Sequence, residues 1–245
     1  MPADNRTGWF RSPLGVSRRT AHIRPMHALP DAFATAASGD TPTVASGDTP
    51  TAASGDTLTA ASGEANACRL CEGILPLGPR PVFRVSATAR ILIVGQAPGT
   101  KVHMTGVPWN DPSGDRLRDW LLLDRDQFYD GTRIAIVPMG LCYPGRSPNG
   151  GDLPPRPECA PLWLDRFIPL MPGLRLTLLV GSYAQRHRLG TGAMTDRVRR
   201  FRDFGPSIVP LPHPSWRTTV WQRRNPWFGE ELLPVVRQAV AAAIE

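Results

Sequence analysis

The sequence predicts an α/β fold in which four short parallel strands form one sheet covered by helices on both faces. Two observations carry this reading. Four apolar runs of strand length occur at residues 90–95, 133–137, 174–180 and 207–211. Segments of helical periodicity separate them, and strands alternating with helices imply a parallel sheet buried on both sides. The first run, ILIVG at 91–95, is apolar throughout and ends in glycine, the pattern of a strand with no solvent face. Residues 113–123 then read as a helix with Leu117, Trp120 and Leu121 on one side and Ser113 or Asp115 as its cap. After the second run, residues 158–168 are helical, with Trp163 and Phe167 four apart. The third run leads through Gly181 into a short helix ending at Leu189, followed by a helix at 195–204 that carries Arg197, Arg199, Arg200 and Arg202. The fourth precedes a closing helix at 230–244. Ligands in such folds bind beyond the carboxyl ends of the strands, where residues 95–99, 138–142 and 212–215 fall.

Composition narrows the function. No apolar run approaches a membrane span and no apolar signal core opens the chain, so neither a membrane partner nor export is expected; a cytoplasmic monomer is. The 28 basic residues include a single lysine, Lys101. Arginine's rigid fork suits phosphate, although an arginine- and alanine-rich chain also reflects a GC-rich genome. Residues 1–66 hold 5 basic against 6 acidic residues, whereas 67–245 hold 23 against 15, so the positive balance of +8 belongs to the second part, as a polyanion-binding domain requires.

The boundary at residue 67 also marks a change of material. Residues 35–66 repeat an eight-residue unit: TAASGDTP, TVASGDTP, TAASGDTL, TAASGEAN. Small polar units without an apolar face do not offset the cost of ordering the backbone, so this stretch reads as a flexible linker within a disordered head, 1–66. Residues 1–34, with Trp9, Phe10, Arg18 and Arg19, read equally as an interaction tail, an organelle presequence or the product of a misplaced start.

The four cysteines are Cys68, Cys71, Cys142 and Cys159. A close C-x2-C pair with a distant pair fits a four-thiolate metal site, and spacing does not separate zinc from a [4Fe-4S] cluster; two disulfides are the remaining reading. Gly95-Gln96-Ala97-Pro98-Gly99 follows a buried strand, where glycines let a ligand approach backbone amides, although a plain strand-to-loop turn reads the same way. His213, between Pro212 and Pro214, is aimed by a restricted backbone; its alternative is a buried histidine bonded to a carbonyl. His103 lies close behind the glycine loop, and Trp109 offers a stacking face, whereas Trp120 and Trp163 suit the core. Trp216 and Arg217, an aromatic and a fork donor at a loop tip, suit gripping or wedging a nucleic acid.

Together, ILIVGQAPG, GVPWNDPSGDRLRDWL, the cysteine spacing and LPHPSW resemble the uracil-DNA glycosylase superfamily, closest to its iron–sulfur, family 4-like branch, from about Cys68 to the C-terminus. The resemblance implies a three-layer α/β/α sandwich with a central four-stranded parallel sheet. It implies an enzyme that flips uracil or another deaminated base out of DNA and cleaves its N-glycosidic bond in base excision repair. By the same resemblance Cys68, Cys71, Cys142 and Cys159 hold a [4Fe-4S] cluster, with zinc as the alternative. Gly95 and Gln96 serve the base, Trp109 stacks on it, and His213 binds its oxygen as charge collects there. Trp216 and Arg217 enter the duplex. The first motif is altered: Gln96 stands where the branch has glutamate, Val102 and His103 replace a Glu-Asp pair, and Ala97 stands where another branch has a water-orienting aspartate. Pro138 aligns with a base-reading asparagine. Water is then expected to be placed by Gln96 or His103. A DNA-binding iron–sulfur protein of the same fold with lost or changed chemistry is the alternative.

Overall fold

A computed structural model of the chain describes residues 52–245, with side chains from Gly55 onward. The expectations for the head at 1–34 and for the repeats up to 51 lie outside the described residues. Four strands, β1 (Ile91–Val94), β2 (Ile134–Ile136), β3 (Leu176–Val180) and β4 (Ile208–Leu211), form one sheet in the order β2-β1-β3-β4. All three pairings are parallel, with Ile91 opposite both Ile134 and Leu176, and Thr177 opposite Ile208.

Successive side chains of a strand point to opposite faces, and the core divides accordingly. Ile91, Ile93, Ile134, Ile136, Leu178 and Val180 face one cluster. Helices that pack on it include α3 (Pro112–Leu121) through Leu117 and Trp120, α4 (Arg125–Tyr129) through Phe128, and α9 (Leu233–Ile244) through Val236 and Val240. Leu92, Val94, Ala135 and Leu179 face the second cluster, filled by α1 (Ala52–Asn66), by a π-helical turn Ala160–Leu164 running into α5 (Asp165–Phe167), and by Ala184 of α6 (Ser182–Leu189). The result is the three-layer α/β/α sandwich around a central four-stranded parallel sheet.

The element boundaries differ from the sequence reading where local chemistry takes over. The cap of α3 is Asp111, which accepts from the amide of Gly114 at 2.8 Å with Pro112 in the first turn, rather than Ser113 or Asp115. The helix expected at 158–168 is a π turn followed by short α and 3-10 pieces, with Pro161 and Pro169 interrupting the regular bonding. The arginine-rich helix is α7 (Met194–Arg199) with a 3-10 turn at Phe201–Phe204. Two short helices, α2 (Thr100–Thr105) and α8 (Thr218–Arg224), follow the glycine loop and the His213 segment.

The linker reading fails for residues 52–66. The last two repeats form α1, and Leu58, Ala61 and Ala65 are buried against the core at 4%, 0% and 0% exposure. Their spacing of three and four places them on one helical face, and alanine lets the helix approach closely. Thr59 and Ser62 return their hydroxyls to the carbonyls of Gly55 and Leu58, and Glu64 pairs with Arg166 at 2.6 and 2.9 Å. A repeat too small to make its own core thus completes one that already exists.

Candidate functional site

The chain reverses direction across the sheet between β1 and β3, so the carboxyl ends of these strands open a crevice. Gly95, Gln96, Trp109, Pro138, Asp152 and His213 are among its walls. The glycine loop is fixed from below: the amides of Met139 and Gly140 donate to the carbonyls of Gly95 and Gln96 at 2.9 and 3.0 Å. Gly95 lets the Trp109 indole close on the loop, since a Cβ there would stand 2.8 Å from Cζ2 and force the ring to shift.

Trp109 is held in an uncommon geometry. Its φ of 56° lies in the left-handed region, which non-glycine residues seldom adopt. The surroundings over-determine it: Tyr129 donates to the carbonyl of Pro108 at 2.8 Å, and a Cβ on Gly114 would fall 1.7 Å from the Trp109 carbonyl oxygen. The indole thereby reaches His213, with ring centroids 5.8 Å apart and planes tilted by 34°.

His213 leaves the end of β4 between two prolines, and its carbonyl accepts from the Ser215 amide at 2.8 Å and from the hydroxyl of Thr218 in α8. Gly181, at φ 91°, passes beneath it; a Cβ there would lie 3.5 Å from the Cβ of His213. Buried Gln185 donates to the carbonyl of Leu211 at 2.8 Å, and Arg197 in turn donates to Gln185 at 3.2 Å, bracing the strand end that delivers the histidine. Burial holds the imidazole below its ordinary value of 6.5, against the opposing charge of Asp111, so it is neutral at pH 7.

The structure therefore brings together Gly95, Gln96, Trp109 and His213, and it leaves His103 out. The His103 side chain is buried with its ring 6.0 Å from that of Tyr143, its Nδ1 has no partner among the described residues, and it does not line the crevice. The reason is helical geometry: within α2, Val102 faces the crevice, and the next residue is turned about 100° away. Trp216 and Arg217 lie beyond His213; the indole is 72% exposed, with the Arg217 guanidinium 5.4 Å from its ring centroid.

Two carboxyl groups of the crevice escaped the sequence reading. Asp111 was hidden in its capping role. Asp152 comes from a hairpin after β2, closed by an antiparallel bridge between Arg146 and Asp152 and by bonds from Ser147 to Gly151 and from Leu153 to Gly145, both 2.8 Å. No fixed spacing announces it; only the turn signal of Gly150 and Gly151, at φ 83° and 84°, hints at a hairpin.

The metal expectation is overturned. Cys68, Cys71, Cys142 and Cys159 are free cysteines and line one apolar hollow on the other side of the Gly140–Leu141 backbone. Among the described residues, however, no three or more His, Cys, Asp or Glu side chains are arranged to hold a metal ion. Burial pushes the thiol of Cys142 up to about 11 and that of Cys159 up to about 12, so both stand as neutral S–H groups in this hollow. The expected [4Fe-4S] cluster, and zinc as its alternative, are corrected accordingly.

Among the described residues no helix is long and apolar enough to cross a membrane. In a comparison with models of known families, residues 83–237 match the one described as the Uracil DNA glycosylase superfamily. The matched stretch contains all four strands and every residue named above in the crevice.

Proposed function

The chain belongs to the uracil DNA glycosylase superfamily, and from that premise we propose that it is a DNA glycosylase that removes uracil or another deaminated base by cleaving the N-glycosidic bond. The observation that carries the proposal is the approach of the Trp109 and His213 rings, centroids 5.8 Å apart, beside the glycine loop in the wall of a crevice at the strand ends.

Cleavage of this bond builds negative charge on the departing base and positive charge on the sugar. A donor fixed where charge develops lowers the barrier without reorganisation. A neutral imidazole keeps one N–H for the base oxygen, and the backbone at 95–99 lines the same crevice. Trp109 supplies the face on which a flipped base stacks, recovering part of the few kcal/mol that flipping costs. The side chains of Trp216 and Arg217, next to this opening, suit the gap a flipped nucleotide leaves in a duplex. DNA is the partner that this arrangement and the +8 balance of residues 67–245 favour.

A second reading, a DNA-binding member of the superfamily without excision, draws on Pro138 and Ala97, which put neither an amide reader nor a carboxylate on two walls of the crevice. A panel of oligonucleotides, each with one altered base, separates the two. Excision leaves an alkali-labile abasic site, so strand cleavage after alkali on at least one lesion is the expected result. Tight, salt-sensitive binding with no cleavage on any lesion replaces the first reading by the second.

A further inference from the structure

The glycine loop carries no carboxylate, yet the hairpin after β2 lays one against it. Oδ2 of Asp152 lies 3.3 Å from where a Cβ on Gly99 would stand, so the carboxyl group rests closely against the loop at that glycine. The hairpin is tied to the loop a second time, through the Gln96 side-chain amide, which points to the carbonyl of Leu153 at 3.5 Å. Asp111, the other carboxyl group in the crevice, is committed through Oδ1 to the Gly114 amide as the cap of α3. No side-chain hydrogen bond engages Asp152 among the described residues, and it stands at the exposed mouth of the crevice facing Asp111 and Arg146. A carboxylate with uncommitted lone pairs, facing both the base wall and solvent, is chemically equipped to hold a water molecule.

We propose that Asp152 orients the attacking water and accepts its proton, a role that rests on the glycosylase reading above. In that step the bond between C1′ and the base nitrogen breaks, with its electron pair leaving on the base. The water oxygen bonds to C1′, and its proton passes to the Asp152 carboxylate and on to solvent at the crevice mouth. The base anion, bound by His213 as it forms, takes a proton from solvent. Sugar and base together gain one water, and no other reactant enters.

The test is Asp152→Asn, which keeps size and shape but is no base, measured in single turnover at saturating enzyme on a lesion the unaltered protein excises. The expected result is a rate lower by about 10²-fold or more, with melting temperature and affinity for duplex containing an uncleavable abasic analogue unchanged. Asp152→Ala should regain part of the rate on addition of formate, because the position is open to solvent. A rate for Asp152→Asn within about threefold of the unaltered protein, a loss confined to affinity, or an alanine variant that formate does not rescue overturns the assignment while leaving the glycosylase reading intact. So does an equal or larger loss in Asp111→Asn, which keeps the cap and would assign the water to that carboxylate instead. An unaltered protein inactive on every lesion overturns the glycosylase reading, and this inference with it.

Discussion

Adding one methyl group at Gly95 tests whether the crevice wall and the indole are fitted to each other. The new Cβ would stand 2.8 Å from Cζ2 and 3.4 Å from Cε2 of Trp109. Carbon atoms rest about 3.5–4.0 Å apart, so the indole would have to retreat by roughly 0.7 Å. It has little room, since its backbone is held by Gly114 and by the bond from Tyr129 to Pro108, and its ring already approaches that of His213. Overpacking of this kind costs about 1–3 kcal/mol, which urea denaturation of Gly95→Ala reads as a lower midpoint at an unchanged slope. Displacing the stacking face by a sizeable fraction of an ångström also costs excision rate, up to about 10²-fold in single turnover. The double variant Gly95→Ala/Trp109→Phe removes the ring that carries Cζ2 and should recover most of the lost stability, giving a coupling of about 1 kcal/mol or more in the cycle. Wild-type stability and rate in Gly95→Ala would refute the packing argument, and equal stability losses with and without Trp109→Phe would show that the strain lies elsewhere.

Further expectations concern the head helix, the histidine and the DNA surface. Leu58→Ala should lower stability by about 2–5 kcal/mol in thermal or chemical denaturation, and removal of residues 1–66 should lower it as well, because α1 goes with them; a truncated chain as stable as the whole would show that α1 adds nothing. His213 is neutral when folded because burial depresses its pKa, whereas the unfolded chain titrates at the ordinary 6.5. Stability from this group is therefore full above pH 6.5 and is lost as pH falls through the lower folded value, so His213→Gln should flatten the acid limb of a stability–pH curve; an unchanged limb would place the acid sensitivity elsewhere. On a substrate the protein excises, His213→Ala should slow single turnover by about 10²–10³-fold, more than Gln96→Ala or His103→Ala; near-normal excision would remove the histidine from its assigned place. Trp216→Ala, at a 72% exposed position, should leave melting unchanged but weaken binding to duplex more than to single strands in titrations across salt concentration; equal losses on both would count against the wedge role.

Much of this molecule is written locally in its sequence. The apolar run at 91–94 has no polar face, so it has to be a strand covered twice, and the same logic places β2, β3 and β4 within one or two residues. Parallel order follows from the intervening helices, and strand ends carrying Gly95 and His213 then fall on one edge of the sheet. Other features depend on contacts between distant residues and leave no local trace. α1 looks like linker because its helix is stabilised by apolar surface more than twenty residues away in sequence, which alanines match only once that surface exists. Asp152 reaches the crevice on a hairpin whose length and course follow no motif, and Asp111 enters it because a helix cap happens to lie on the crevice wall. His103, one residue from a crevice-lining valine, is excluded by the rotation of a single helical step. The four cysteines show the same limit in reverse: their spacing gathers them around one hollow, but only the packed structure decides that the hollow is apolar and keeps two of its thiols protonated. Periodicity and apolar runs are properties of neighbouring residues and determine the elements and their layering; burial, protonation and the meeting of side chains are set by the whole packed chain.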